Sequence, residues 1–277
     1  MDYVKPAEVA LAMVSTGQSK LGLTPVDLVV RGALAGSILA AATSLAFTGA
    51  LQTGVPLVGA LIFPVGLAII VLLGLDLVTG SFGLLPLPCI EKTGDVRTMV
   101  MNWVYVFTGN LIGSMAYGAL LAIALTMFGS LAPTGVAAQI IAVAQAKTTG
   151  YAAFGFAGMV TVFVKAILCN WMVCLAIVIS MTSASTVGKI AALWMPMLIF
   201  FAQGFEHSVV NMFVIPTGML MGAKVSMAQW WLWNQIPVTL GNLVGGSVFT
   251  GFALYITHKP KVSAPAPLSA PSQMPAE

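Results

Sequence analysis

Glu206 and His207 stand side by side in a run that carries no other charge from Ile190 to Ala223. An ionisable pair in such an apolar run is costly unless it is matched or put to use. The imidazole could hydrogen-bond an anion, or share a proton with it, near neutral pH. A structural histidine packed on Glu206 and backbone is the plainer alternative. Asn170 and Asn211 are further polar groups at the same depth, and Lys20 and Lys147 are cations placed to raise the anion concentration at opposite mouths. Ordinary snorkelling at span ends is the competing account of both lysines.

These side chains need a scaffold that interrupts helices. Gly80, Gly83, Pro86 and Pro88 lie in the stretch 76–88, and Gly204, Pro216 and Gly218 lie in 203–218. Both stretches are expected to be broken backbone, which a membrane tolerates only where it lines a cavity or is buried in protein. Freed N–H groups at such breaks favour anions. Asp76 is expected to cap the first broken helix or to pair with Arg97 or Lys189.

The rest of the chain is bilayer-sized. Of 277 residues, 59% are hydrophobic and 7% charged, too little polar surface for a water-soluble domain. No charged residue falls between Arg31 and Asp76 or between Arg97 and Lys147. Allowing about 20 apolar residues per helix, six spans are expected at 25–49, 54–75, 98–128, 152–181, 188–203 and 233–257, the second and fifth broken. Residues 1–22 read as an amphipathic interfacial helix with Val4, Val9 and Met13 toward lipid or protein. Together, 1–258 form one transmembrane channel domain, and the Pro/Ala/Ser-rich tail 259–277 is expected to be disordered.

An internal repeat organises these spans. Asn102-Trp103 through Gly109-Asn110-Leu-Ile-Gly113 recurs as Asn234 through Gly241-Asn242-Leu-Val-Gly245, at an offset of 132 residues. One copy falls on span three and one on span six, so each half holds three spans and the halves are inverted. Thr79 precedes Gly109 by 30 residues and His207 precedes Gly241 by 34, which puts the two breaks in corresponding places. Paired interruptions in inverted halves mark a binding or permeation site near the midplane. Asn110 and Asn242 themselves read as helix-to-helix glue. Most cations lie on the side of the termini, so both termini are expected to be cytoplasmic.

The same residues exclude other classes. Cys89, Cys169 and Cys174 lack metal-ligand spacing, and no cofactor or metal is expected. A net charge of +3 over eleven cations leaves no nucleic-acid footprint. Neither break has the Asn-Pro-Ala box of a neutral-solute aquaporin, and no catalytic constellation for an intramembrane enzyme is present.

Gly204-Phe-Glu206-His207-Ser-Val-Val-Asn211-Met-Phe-Val-Ile-Pro216 resembles the signature of the formate/nitrite transporter family. Leu75-Asp-Leu77-Val-Thr79-Gly80-Ser81 resembles its first-half loop, and Cys169-Asn170-Trp-Met-Val-Cys174 its fourth-span motif. The resemblance implies an all-α, aquaporin-like subunit in a homopentamer, with one pore per subunit for a small monovalent anion, accompanied by a proton. It implies that His207 is the central pore histidine, with Thr79 as its hydrogen-bonding partner and Asn170 and Asn211 as neighbouring polar groups. Phe63, Leu67 and Phe200 match the outer hydrophobic constriction, Leu77 the inner one, and Lys20 and Lys147 the vestibule cations. Gly80 stands where enteric formate channels have serine, and position 78 is Val rather than Phe. Nitrite is placed first as substrate and formate second, with a bicarbonate channel of an algal plastid envelope as the alternative.

Overall fold

The computed structural model describes residues 2–259, so the tail beyond Lys259 lies outside the described residues. Prolines open several helices, because a first-turn residue needs no N–H. They begin α1 (Pro6–Leu21), α2 (Pro25–Thr53) and α3 (Pro56–Ile62). Past Phe63-Pro64 the chain continues as α4 (Val65–Leu72), then α5 (Val78–Leu84) and α6 (Pro86–Ile90). The first half closes with α7 (Val96–Thr126), and the chain goes on as α8 (Val136–Ala146), α9 (Thr149–Ala152), α10 (Gly155–Ser180), α11 (Thr186–Ala202) and α12 (Ser208–Leu220). The last helix, α13 (Met227–His258), contains π-helical stretches at Trp231–Gln235 and Gly245–Phe252.

Four of these, α2, α7, α10 and α13, are long and apolar enough to cross a bilayer. They match expected spans one, three, four and six, although α13 starts earlier than expected. The second and fifth positions hold shorter helices, α3–α4 and α11. Each ends at a glycine in the left-handed region, Gly74 at φ 65° and Gly204 at φ 63°, a conformation that only glycine adopts without strain. The amide of Leu75 then bonds back to Ile70, and that of Phe205 to Phe200. The chain runs extended through Leu77 and His207 before the helix resumes at Val78 and Ser208.

The breaks are therefore shorter than the glycine and proline content suggests. They cover residues 73–77 and 203–207, and Gly80, Gly83, Pro216 and Gly218 sit inside helices. Those glycines serve close packing instead. A Cβ on Gly83 would lie 2.8 Å from Cys174 Sγ, and one on Gly218 would lie 2.6 Å from Ala144 Cβ. On the first helix, Val9 and Met13 take the protein side, packing into a cluster with Leu84, Leu85 and Tyr255. Helix α8, unforeseen from the sequence, packs beside α12.

The repeated Gly-Asn motifs sit where long helices touch. Gly32 and Gly36 of α2 face Gly109, Asn110 and Ser114 of α7, and Gly241 and Gly245 of α13 face Ala166 and Ile167 of α10. Small residues at such crossings let backbones approach, the usual device for helix association in lipid. On the outside, Leu120, Ile256 and Phe156 are 68%, 73% and 85% exposed. Such an apolar exterior suits lipid or another subunit.

Candidate functional site

A break in a helix frees backbone groups that the interior must satisfy. In the first half, Asn110 of α7 does this. Its Oδ1 accepts the Val78 N–H at 2.9 Å, and its Nδ2 donates to the Gly32 and Asp76 carbonyls at 2.9 Å each. In the second half, Asn242 of α13 makes the same three bonds. It accepts from Ser208 N–H at 2.8 Å and donates to the Ala166 and Glu206 carbonyls at 2.8 and 2.9 Å. The two asparagines are more than glue between helices, because each fixes one break.

The ion pairs repeat in the same way. Asp76 pairs with Lys20, and Glu206 pairs with Lys147 at 2.8 Å. Asn102 Nδ2 donates to the Lys20 carbonyl at 3.0 Å, and Asn234 Nδ2 to that of Lys147 at 2.9 Å. Three expectations change here. Glu206 is matched to Lys147 rather than to His207, Asp76 binds Lys20 rather than Arg97 or Lys189, and neither lysine stands as a free cation at a mouth. Both carboxylates are almost fully buried, so each lysine is spent on neutralising one.

His207 caps α12, with Nδ1 accepting the Val210 N–H at 3.2 Å. That bond leaves Nδ1 unprotonated and places the ring proton on Nε2. Nε2 lies 3.2 Å from Thr79 Oγ1, so the second break meets the first turn of α5, just past the first break, at this contact. Phe200 stacks over the imidazole at 5.8 Å between ring centroids, and Phe63 meets Phe200 edge-on at 5.5 Å. Leu67 is buried in one cluster with Phe63, Phe200 and Leu77. It also lines a cavity with Leu77 and Lys20.

Asn170 of α10 ties α5 to α13, its Nδ2 donating to the Thr79 carbonyl at 3.0 Å and the Asn242 carbonyl at 2.6 Å. Cys174 Sγ donates to the same Thr79 carbonyl at 3.3 Å. Asn211 supports the carboxylate instead, donating to Glu206 at 2.8 Å and to Asn234 Oδ1 at 2.8 Å. Tyr151 donates to Glu206 at 2.8 Å. Lys165, inside the fourth span and overlooked in the sequence, places Nζ 5.9 Å from the Tyr151 ring centroid. Its polarity in an apolar run was the available signal. Among the described residues no cluster of His, Cys, Asp and Glu could hold a metal ion.

A helical membrane protein whose two interrupted units meet at a buried imidazole, flanked by aromatic rings, is built as a channel or transporter. A family model described as formate/nitrite transporter matches residues 7–256. A probable formate transporter of Methanothermobacter thermautotrophicus is 36% identical over 92% of this chain and 97% of its own. Formate channel FocA of Haemophilus influenzae is 31% identical, covering 91% and 94%. Among solved structures, an FNT family ion channel superposes with TM-score 0.79 at 29% identity, over 90% of this chain and 98% of its own. A pentameric formate channel with formate bound gives 0.68 at 27%, covering 84% and 97%. This chain belongs to the formate/nitrite transporter family and is an integral membrane channel or transporter for small anions.

Proposed function

We propose that each subunit of a homopentamer conducts formate between the two breaks, past His207. The contact between His207 Nε2 and Thr79 Oγ1 carries this reading, because it sets one directional donor at the junction of the two halves. A bare anion cannot cross the Phe63–Phe200 pair or the Leu67–Leu77 pair without a large desolvation cost. With Nδ1 engaged as an acceptor, His207 serves as a neutral Nε2–H donor. Giving up that proton would leave an imidazolate, so the proton travels with the anion rather than coming from the ring. Thr79, Asn170 and the bracing asparagines hold the donor in place. Formate moves ahead of nitrite because the curated relatives named for a substrate carry formate. The Lys20 end, with the termini, is assigned to the cytoplasm.

The test is uptake of formate, nitrite and bicarbonate by one proteoliposome preparation across pH. Formate flux should be the fastest and should rise as pH falls toward the acid's own pKa. His207→Phe should lower it at least about tenfold, the effect of one lost hydrogen bond to a charged partner. His207→Asn, which keeps an N–H donor, should retain most of it. Equal flux in wild type and His207→Phe would sink the assignment.

A further inference from the structure

Both lysines of the paired breaks are bound to carboxylates, so the charge that collects an anion must come from elsewhere. At the Lys20 end lies a cavity of about 280 Å³, reaching Leu67 and Leu77 and therefore abutting the path to His207. Lys189 lines it, and its ammonium has no hydrogen-bond or ion-pair partner among the described residues. Lys189 sits near the start of α11, where the helix dipole favours an anion and disfavours a cation. Its charge adds to that of the helix end instead of cancelling it, which leaves the local potential strongly positive. Ser81 lines the same cavity, is 1% exposed, and its hydroxyl has no partner. A buried hydroxyl left unmatched costs stability unless a ligand or water completes it. Thr16 of α1 adds a second hydroxyl to the wall.

We infer that this cavity is a second holding site for a small monocarboxylate, with Lys189 as its cation and Ser81 as its donor, separate from His207. The chemistry suits one negative charge: Lys20 is cancelled by Asp76, so a single uncompensated ammonium remains. The site deepens the proposed function by giving the permeant anion a place to wait before the Leu67–Leu77 constriction. An anion already partly desolvated there meets a lower barrier at the next step.

Two measurements separate this inference from the channel reading on which it rests. In the first, formate flux is measured from the Lys20 face. Lys189→Gln should raise the half-saturating concentration about fivefold, as expected for a half-exposed charge contact. Ser81→Ala should raise it by about twofold to threefold, the loss of one neutral hydrogen bond. Lys189→Arg should restore the wild-type value, and Lys224→Gln, an exposed lysine with no partner, should change nothing. In the second, binding of carbon-13 formate to the purified protein is followed by NMR line width in a His207→Phe background. Binding should persist there and fall when Lys189→Gln is added. Binding that is absent in the His207→Phe background, or indifferent to Lys189, overturns the holding site whatever the flux does. Lys189-dependent binding without any flux in wild type would support the site and sink the channel reading.

Discussion

The two breaks share a frame and differ in what they present. Each is entered from a left-handed glycine, carries a lysine-bound carboxylate two residues further on, and is pinned by an asparagine of a later long helix. Yet the residue after the carboxylate is Leu77 in one half and His207 in the other. Duplicated backbone thus yields a hydrophobic wall on one side and a hydrogen-bond donor on the other. The carboxylates differ too. Glu206 is met by Lys147, Tyr151, Asn211 and Asn234, whereas Asp76 has Lys20 alone and keeps Oδ2 unmatched. Chemistry can be placed asymmetrically because the frame, and not the side chain at the junction, fixes the backbone.

The largest expected effect exploits that imbalance. Lys20→Met strands a buried Asp76 with no other side-chain donor and should cost about 3–5 kcal/mol. Lys147→Met leaves Glu206 with three neutral donors and should cost less, about 1–3 kcal/mol. Lys20→Met combined with Asp76→Leu should recover much of the loss. Thermal or denaturant unfolding of the purified protein checks all three, and equal losses in the two single variants would break the comparison.

Next come the pinning asparagines. Asn110→Leu and Asn242→Leu each release three backbone groups and should each cost about 3 kcal/mol. Their effects on transport should diverge. Asn242→Leu frees the His207 segment and should nearly abolish formate flux, while Asn110→Leu loosens the Leu77 wall and should leave flux within about threefold. A matched loss of flux in both would mean that the leucine side is as exacting as the histidine side.

Much of this frame was legible in the residues. The long helices follow from charge gaps of bilayer length, and the repeat of Gly109-Asn110 in Gly241-Asn242 marks where backbones touch. The place of each break was readable, but not its extent. Gly80, Gly83 and Gly218 resemble helix breakers by type, and only the packing shows that they admit Cys174, Ile177 and Ala144. The repeat put the two breaks in corresponding places without a residue-by-residue match, and the hydrogen bonds of Asn110 and Asn242 set Leu77 opposite His207. The carboxylate–lysine pairs were hidden because their partners lie 56 and 59 positions apart, joined by tertiary packing alone. One clue went unused: Asn102 and Asn234 are part of the quoted repeat, and each ties down the carbonyl of one of those lysines.

The smallest effect tests whether the asymmetry extends to the helix starts. Helix α7 begins at Asp95, whose carboxylate accepts the Thr98 amide at 2.9 Å. Its counterpart α13 begins at Ser226, whose hydroxyl accepts the Gln229 amide at 3.2 Å while Gln229 bonds back to the Ser226 amide at 2.8 Å. The backbone and side-chain bonds from Thr98 hold the Asp95 carboxyl below its ordinary value. A carboxyl so depressed stabilises the fold fully above the unfolded-state pKa, and that contribution fades as pH falls through the lowered one. The Ser226 cap has no titrating group and should hold throughout, with Ser226→Ala costing about 1 kcal/mol at any pH. Amide hydrogen exchange, corrected for intrinsic rates, should show Thr98 losing protection between neutral pH and about pH 3, while Gln229 keeps its own. Parallel loss at both amides would show that the two ends respond to acid through the fold as a whole rather than through their caps.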